Sequence, residues 1–431
     1  MKRIDYLAID EMLYKKVLPN GLTVFLFPKE EMEKTFAIFS TDYGSIDSTF
    51  VPMGETETVA VPEGVAHFLE HKLFEKEDRD VFTDFSKQGA SANAYTSFTK
   101  TAYLFSATSN IEQNVETLLN FVQEPYFSDE TVEKEKGIIA QEIMMYDDQP
   151  GWQLFMNTIK NMFHEHPVNI DIAGTVDSIQ TITKEHLYTC YNTFYHPGNM
   201  TLFIAGNFNY KSMLKLIENN QAQKTFPQTQ PIKRIFPDEP DTVVRKEQTI
   251  TMPVSMPKCS VGIKKIPDKM SAEQFVIYDL IEQMLLDFYY SKSGIFYQEL
   301  YKNELIDHSF GYSSTLENNF GYVIISSSTS EPDLFAEKVK EQLHSVKSLQ
   351  LEETDIEKMK NKRIGQLLRS MNSLESIANN YVHYDSHGVD FFELIEIIQR
   401  LTKEDFTMFL KDWINEEQMT VCKMIAQTKG D

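Results

Sequence analysis

Four prolines, at 227, 231, 237 and 240, punctuate a polar stretch near the middle of this 431-residue chain, NNQAQKTFPQTQPIKRIFPDEPDTVVRKE. Proline lacks a backbone donor and disfavours helix in the residue before it, so neither a long helix nor a central strand can run through this stretch. The chain is therefore expected to fold as two bodies joined here, which also suits its length, because single cores stop growing beyond about 250–300 residues. We place a first domain at 1–225, a linker at 226–247 and a second domain at 248–431.

Before the linker, LPNGLTVFLFP turns at Asn20-Gly21 and continues as a strand, and TFAIFSTDYGSI at 35–46 predicts another. The run VAHFLEHKLFEKEDRDVFTDFSKQG predicts one or two helices stopped at Gly89. A strand pair is expected over 91–107, then two helices, the second starting near Ser128 or Asp129 and reaching 146, and a closing strand at 200–208. After the linker the theme recurs: a β-rich run at 248–264, helices at 271–304, strands at 309–328, and helices from 331 onward. The expected class is α+β, with two homologous domains, each a mixed, mainly antiparallel sheet packed with helices.

Composition narrows the function. Hydrophobic residues at 42% and aromatic residues at 12% exclude a disordered chain. A net charge of −23, from 64 acidic against 41 basic residues, repels a phosphate backbone, so no nucleic-acid partner is expected. Solubility explains that acidity more simply than a cavity built for basic peptides. Cys190, Cys259 and Cys422 lie far apart and predict neither a disulfide framework nor a thiolate metal site. Asp5, Asp10 and Glu11 interrupt the start where a secretory or transit signal would be apolar or acid-free, and no run is long and apolar enough to span a membrane. We expect a cytoplasmic protein without a membrane partner.

The chemistry concentrates in His67-Phe68-Leu69-Glu70-His71. On a helix, His67 and His71 stand one turn apart on one face, with Glu70 beside them. Two such imidazoles suit zinc, which lowers the pKa of a water it holds to about 7, so a neighbouring carboxylate can take the proton at neutral pH. A catalytic zinc needs a third protein ligand, and Glu142 is the candidate. Glu135 lies seven residues earlier, two turns away on the same face of the predicted helix, where it can orient a ligand or substrate. A surface helix with two histidines and an ion-pairing glutamate would carry the same letters, and EKEKGIIAQEI also reads as an ordinary charged helix.

HFLEH followed by Asn93-Ala94 and then EKEKGIIAQE resembles the inverted-motif zinc peptidases (inverzincins) of the pitrilysin and mitochondrial processing peptidase family. LPNGLTV at 18–24, YGSID at 43–47, HPVNIDIAGTVDSI at 166–179 and FYHPGNMTLFIAGNF at 194–208 extend the resemblance over most of the first half. It implies Zn2+ held by His67, His71 and Glu142, Glu70 as the base that activates water, and Glu135 as a supporting acid. It further implies that a peptide substrate adds as a strand along Ser91 to Thr96, with Ala92, Asn93 and Ala94 in contact; Asn93 alone reads as an ordinary turn residue.

The second half departs from the pattern. Active relatives carry an Arg and, seven residues on, a Tyr that contact substrate; here FYQELYKNELIDHSFGY puts Tyr301 and His308 in those places, and Tyr312 is out of register. An absent oxyanion donor costs about a hundredfold or more in rate. The resemblance therefore implies a heterodimer with a homologous chain that lacks the zinc motif, the chain here being like the zinc-bearing member of a paired bacterial set. A homodimer using His308 is the competing arrangement. The alternatives to a peptidase are a non-catalytic structural or peptide-binding subunit of the same fold, and a regulator that binds zinc without cleaving. Of the other histidines, His164 and His166 read as loop residues, and His383 and His387 as an exposed helix end before Gly388.

Overall fold

The computed structural model describes every residue except 8, 268–269, 347, 349–350 and 428–431. It is a mixture of helices and sheets in two compact units that are not contiguous in sequence. Unit one comprises Met1–Met144, Ile170–Phe236 and Ser370–Ser386; unit two comprises Met145–Asn169, Pro237–Arg369 and His387–Asp431.

Unit one is built on a seven-stranded sheet in the order Lys2–Tyr6, Glu11–Val17, Thr23–Pro28, Met200–Gly206, Thr35–Thr41, Thr101–Ala107, Ala90–Thr96. All neighbours are antiparallel except Thr23–Pro28 with Met200–Gly206. The central strands read TVFLFP, MTLFIAG and TFAIFST, with almost no exposed position, because helices cover both faces. Val65–Phe74 and Ile111–Gln123 pack on one face; Leu374–Ser386, from late in the chain, lies against Thr35–Thr41 and Met200–Gly206.

Unit two repeats this plan. Its five strands run Glu247–Met252, Met419–Ala426, Lys258–Lys265, Gly321–Ser328, Gly311–Leu316, again with a single parallel pair, here Glu247–Met252 with Met419–Ala426. The order and directions match the last five strands of unit one. The intervening helices correspond too, and Pro150–Met162 covers Lys258–Lys265 and Met419–Ala426 as Leu374–Ser386 covers its sheet. The repetition suspected from element order is thus a repetition of topology.

Three features of the sequence reading need correction. Helices were expected from 331 onward, but the chain ends in the strand Met419–Ala426, central to the second sheet; its sequence MTVCKMIA echoes MTLFIAG, the signal that was missed. The β-rich run 248–264 is two strands that flank Met419–Ala426 rather than pair with each other. Lys2–Tyr6 and Glu11–Val17 form a hairpin that periodicity alone did not reveal.

Within 226–247 the chain is tied to both units. Lys233–Arg234 pairs with Phe50 and Val51, and Arg234 Nε donates to Asp47 Oδ1 at 2.8 Å in unit one. In unit two Glu239 accepts from the backbone N–H groups of His164, Glu165 and His166, each at 2.8 Å, and forms an ion pair with the fully buried Lys264 ammonium. Burial favours the neutral acid, but the ammonium and the three N–H groups outweigh it and hold the Glu239 pKa below its ordinary value. Removing Glu239 strands the Lys264 charge and three backbone N–H groups together, so Glu239→Ala should cost about 3 kcal/mol or more in urea unfolding.

Candidate metal centre

Gly64 opens the Val65–Phe74 helix in the left-handed conformation, with φ 83°. A Cβ there would stand 2.3 Å from the Ala173 carbonyl oxygen, so glycine alone permits the approach. Ser178 Oγ also donates to the Glu63 carbonyl at 3.0 Å, so the IAGTVDSI segment fixes where the helix begins. The helix buries Phe68, Leu69 and Leu73 in the core, which turns His67 and His71 toward the Asp129–Asp147 helix. Lys72, wholly buried, joins the two helices by pairing with Glu75 and donating to the Thr131 carbonyl at 3.3 Å.

His67 Nε2 lies 3.8 Å and His71 Nε2 3.6 Å from the same Glu142 oxygen, Oε2. Donor atoms of the three residues fall within 4.8 Å of one another, and among the described residues this is the set of His, Cys, Asp or Glu side chains placed to share an ion. Ligands of a tetrahedral zinc stand about 3.3 Å apart, so the three donors need only a small contraction to fit one.

Protonation favours the same reading. Burial, and then the charge of His71, push the His67 pKa down to about 3, leaving a neutral imidazole; its buried Nδ1 has no hydrogen-bond partner. His71 responds differently. Burial disfavours its charged form, yet the hydrogen bond between Nδ1 and Glu135 Oε1 at 3.1 Å, with the charges of Glu70, Glu135 and Glu142, raises its pKa above the ordinary 6.5. With Nδ1 engaged by Glu135, Nε2 faces Glu142 and becomes available to a metal once the ring gives up its proton.

Glu70 is 8% exposed, and burial raises its pKa against the lowering effects of Thr96 and the His71 charge. Thr96 Oγ1 donates to Glu70 Oε2 at 2.7 Å. Sequence reasoning took Thr96 only as the end of a substrate strand and missed this contact, which no local spacing announces. Because the hydroxyl favours the ionised carboxylate, Thr96→Val should move the acidic limb of any Glu70-dependent rate to higher pH, read from kcat/KM against pH.

Ala92, Asn93 and Ala94 lie on Ala90–Thr96, the last strand of its sheet, which among the described residues pairs only with Thr101–Ala107. Asn93 Oδ1 accepts from the Ala94 N–H at 2.9 Å, a local cap on that backbone donor. Ala92 and Ala94 pack against the core beneath the motif helix, and Tyr95, on the opposite face, donates to Asn379 Oδ1 at 3.0 Å.

The remaining candidates take other roles. Tyr301 is 60% exposed, and the His308 side chain is 97% exposed beside Asp307. Tyr312 donates to Asp287 Oδ1 at 2.9 Å. His164 and His166 belong to the loop held by Glu239. His387 is not an exposed helix end: its side chain is 4% exposed, stacked on Phe275 at 4.2 Å and 3.1 Å from Glu317 Oε2.

Comparison with known proteins shows the family. The family model described as "Insulinase (Peptidase family M16)" matches residues 50–176, and "Peptidase M16 inactive domain" matches residues 181–363. A Bacillus subtilis (strain 168) protein described as an uncharacterized zinc protease, YmfH, is 48% identical over 429 residues, 99% of this chain and 100% of that one. The chain belongs to peptidase family M16. A putative M16-like peptidase from Alicyclobacillus acidocaldarius superposes with a TM-score of 0.92 at 39% identity, covering 96% of this chain and 98% of that one. A protease from Helicobacter pylori shares the fold, with a TM-score of 0.82 at 17% identity over 96% of this chain and 99% of its own. In M16 terms, the motif and glutamate-bearing helices fall within the first matched segment and Tyr301, His308 and Tyr312 within the second. Among the described residues, no helix is long and apolar enough to cross a membrane.

Proposed function

We propose that this chain is a zinc-dependent endopeptidase subunit in which His67, His71 and Glu142 hold the metal. The observation that carries the reading is the convergence of those three side chains, from two helices separated by more than fifty residues of sequence, on one point within 4.8 Å. Zinc bound there would supply a Lewis acid that polarises a peptide carbonyl and brings the pKa of a coordinated water near 7.

The protein's own groups do the rest. Glu70, held by Thr96 and raised in pKa, takes a proton from water and delivers it to the departing amine. Glu135 holds His71 in one tautomer and orientation. The outer edge of Ala90–Thr96 binds an extended peptide through backbone pairing, with Ala92, Asn93 and Ala94 in contact, and Asn93 must release the Ala94 N–H as the substrate strand docks. Unfolded or short peptides fit such a mode.

The exposure of Tyr301 and His308, which stand where an Arg and a Tyr would contact substrate, favours a partner. A homologous chain lacking the zinc motif would supply them in a heterodimer; a homodimer is the alternative. Three cysteines scattered without disulfide spacing favour a reducing, cytoplasmic setting. The test is hydrolysis of a quenched fluorescent peptide library by the zinc-loaded chain, alone and mixed with the product of an adjacent homologous gene. Cleavage by the mixture only supports a split site, cleavage by the lone chain supports a self-sufficient one, and zinc below a tenth of an equivalent in protein never exposed to chelator would leave the non-catalytic subunit as the reading.

A further inference from the structure

Tyr95 and Thr96 pin one end of the outermost strand of unit one from both of its faces. Successive side chains on a strand point to opposite faces. Thr96 reaches Glu70 of the motif helix on one face, at 2.7 Å, and Tyr95 reaches Asn379 on the other, at 3.0 Å. Asn379 belongs to Leu374–Ser386, a helix of the same unit that lies against Thr35–Thr41 and Met200–Gly206, two and three places in from the edge. Tyr381 anchors that helix in the core, its ring edge-on to Phe25 with centroids 4.7 Å apart. Asn379 Nδ2 donates to the Glu375 carbonyl at 2.9 Å, which leaves Oδ1 to accept from the tyrosine. In the sheet Tyr95 stands opposite Ala102, a side chain of one carbon, so its ring has room to reach past Thr101–Ala107 toward the helix. Burial pushes the Tyr95 hydroxyl up to about 12, and it stays a donor at neutral pH.

We infer that Tyr95 is a positioning residue, clamped by Asn379 so that Ala90–Thr96 is held in the place where it receives a peptide. The inference rests on the peptidase reading for that peptide. Among the described residues this strand has a pairing partner on one side only, so its position depends on side-chain contacts more than that of an inner strand. A peptide that adds to a strand binds it in one position, and its apparent affinity falls by the fraction of time the strand spends elsewhere. One hydrogen bond of ordinary net strength moves such an equilibrium by about threefold to tenfold. The two partners are 284 residues apart in sequence, so a segment from late in the chain completes the peptide-receiving edge of a site whose other residues come from its first third.

The experiment compares the full chain with Tyr95→Phe, Asn379→Ala and the double variant by hydrogen exchange and peptide binding. Each single change should speed amide exchange over 90–96 by about threefold to tenfold and leave 35–41 and 200–206 as they were, and the double variant should exchange no faster than either, because all three break one bond. In zinc-loaded protein carrying Glu70→Gln, the affinity for a fluorescein-labelled decapeptide of alanine, leucine and serine, read by anisotropy, should fall by the same factor. With Glu70 intact, KM should rise while kcat holds. Unchanged exchange over 90–96, or faster exchange with peptide affinity intact, overturns the proposal. So does faster exchange throughout unit one, which would make the bond a support of the fold and not of the edge. If the chain binds no peptide even with Tyr95 and Asn379 in place, while exchange responds as expected, the peptidase reading fails and the clamp on the strand stands.

Discussion

Glu70→Gln should abolish peptide hydrolysis, lowering kcat/KM by about 10²–10⁴-fold, while zinc content stays at the level of the unaltered protein. Glutamine keeps the volume of the buried side chain and can still accept the Thr96 hydroxyl, so the helix and the edge strand stay in place. What it cannot do is accept a proton. None of the 3.6–3.8 Å approaches among His67, His71 and Glu142 involves Glu70, which is why the metal should remain. Metal analysis beside the peptide assay checks both halves of the expectation, and turnover retained by this variant would remove Glu70 from the role of base.

The opposite pattern is expected when a proposed ligand is lost. His71→Ala and Glu142→Ala should each purify with little or no zinc and lose activity with it, since two remaining donors cannot hold the ion against solvent and buffer. Glu135→Ala should be milder, weakening zinc binding by about 10–100-fold, because it removes the partner of His71 Nδ1 and not a donor. Acidification supplies an independent check. His71 must be neutral to bind metal, and its pKa lies above the ordinary 6.5, so zinc affinity should already fall as pH drops through the neutral range. His67, with a pKa near 3, is neutral throughout that range and should not contribute to the fall. Competition with a chelator across pH measures this; a flat affinity between pH 6 and 8 would contradict the assignment of His71.

Neither expectation depends on the second half, whose contribution is of another kind. Unit two repeats the five-stranded topology of unit one, yet nothing like HFLEH occupies its helix Ala272–Tyr290. Where Thr96 donates to Glu70 in unit one, Tyr312 of the corresponding edge strand donates to Asp287, and Lys362 pairs with that same carboxylate at 2.7 Å. A carboxylate already neutralised by a lysine has no use for a metal. The same scaffold thus carries a metal-competent cluster in one copy and an internally satisfied ion pair in the other.

The local features were legible from residue order because local spacing dictates them. An i, i+4 pair of histidines on a helix must share a face, and two glutamates seven residues apart must do the same, but it was the family resemblance, not spacing, that joined Glu135 and Glu142 to His67 and His71. Alternating and continuous apolar runs likewise placed most strands and the α+β class. Tertiary structure alone decided which faces meet: that Glu142 comes to His67 and His71, that Thr96 reaches Glu70, and that Asp47 and Glu239 tie down a proline-rich stretch that composition marks as a linker. It also decided that Leu374–Ser386 and Pro150–Met162 each belong to the unit built mainly from the other half of the chain. Periodicity records which side of an element is apolar and carries no record of the partner that will cover it. That choice is made by long-range packing, where shape and charge from distant segments compete for the same surface.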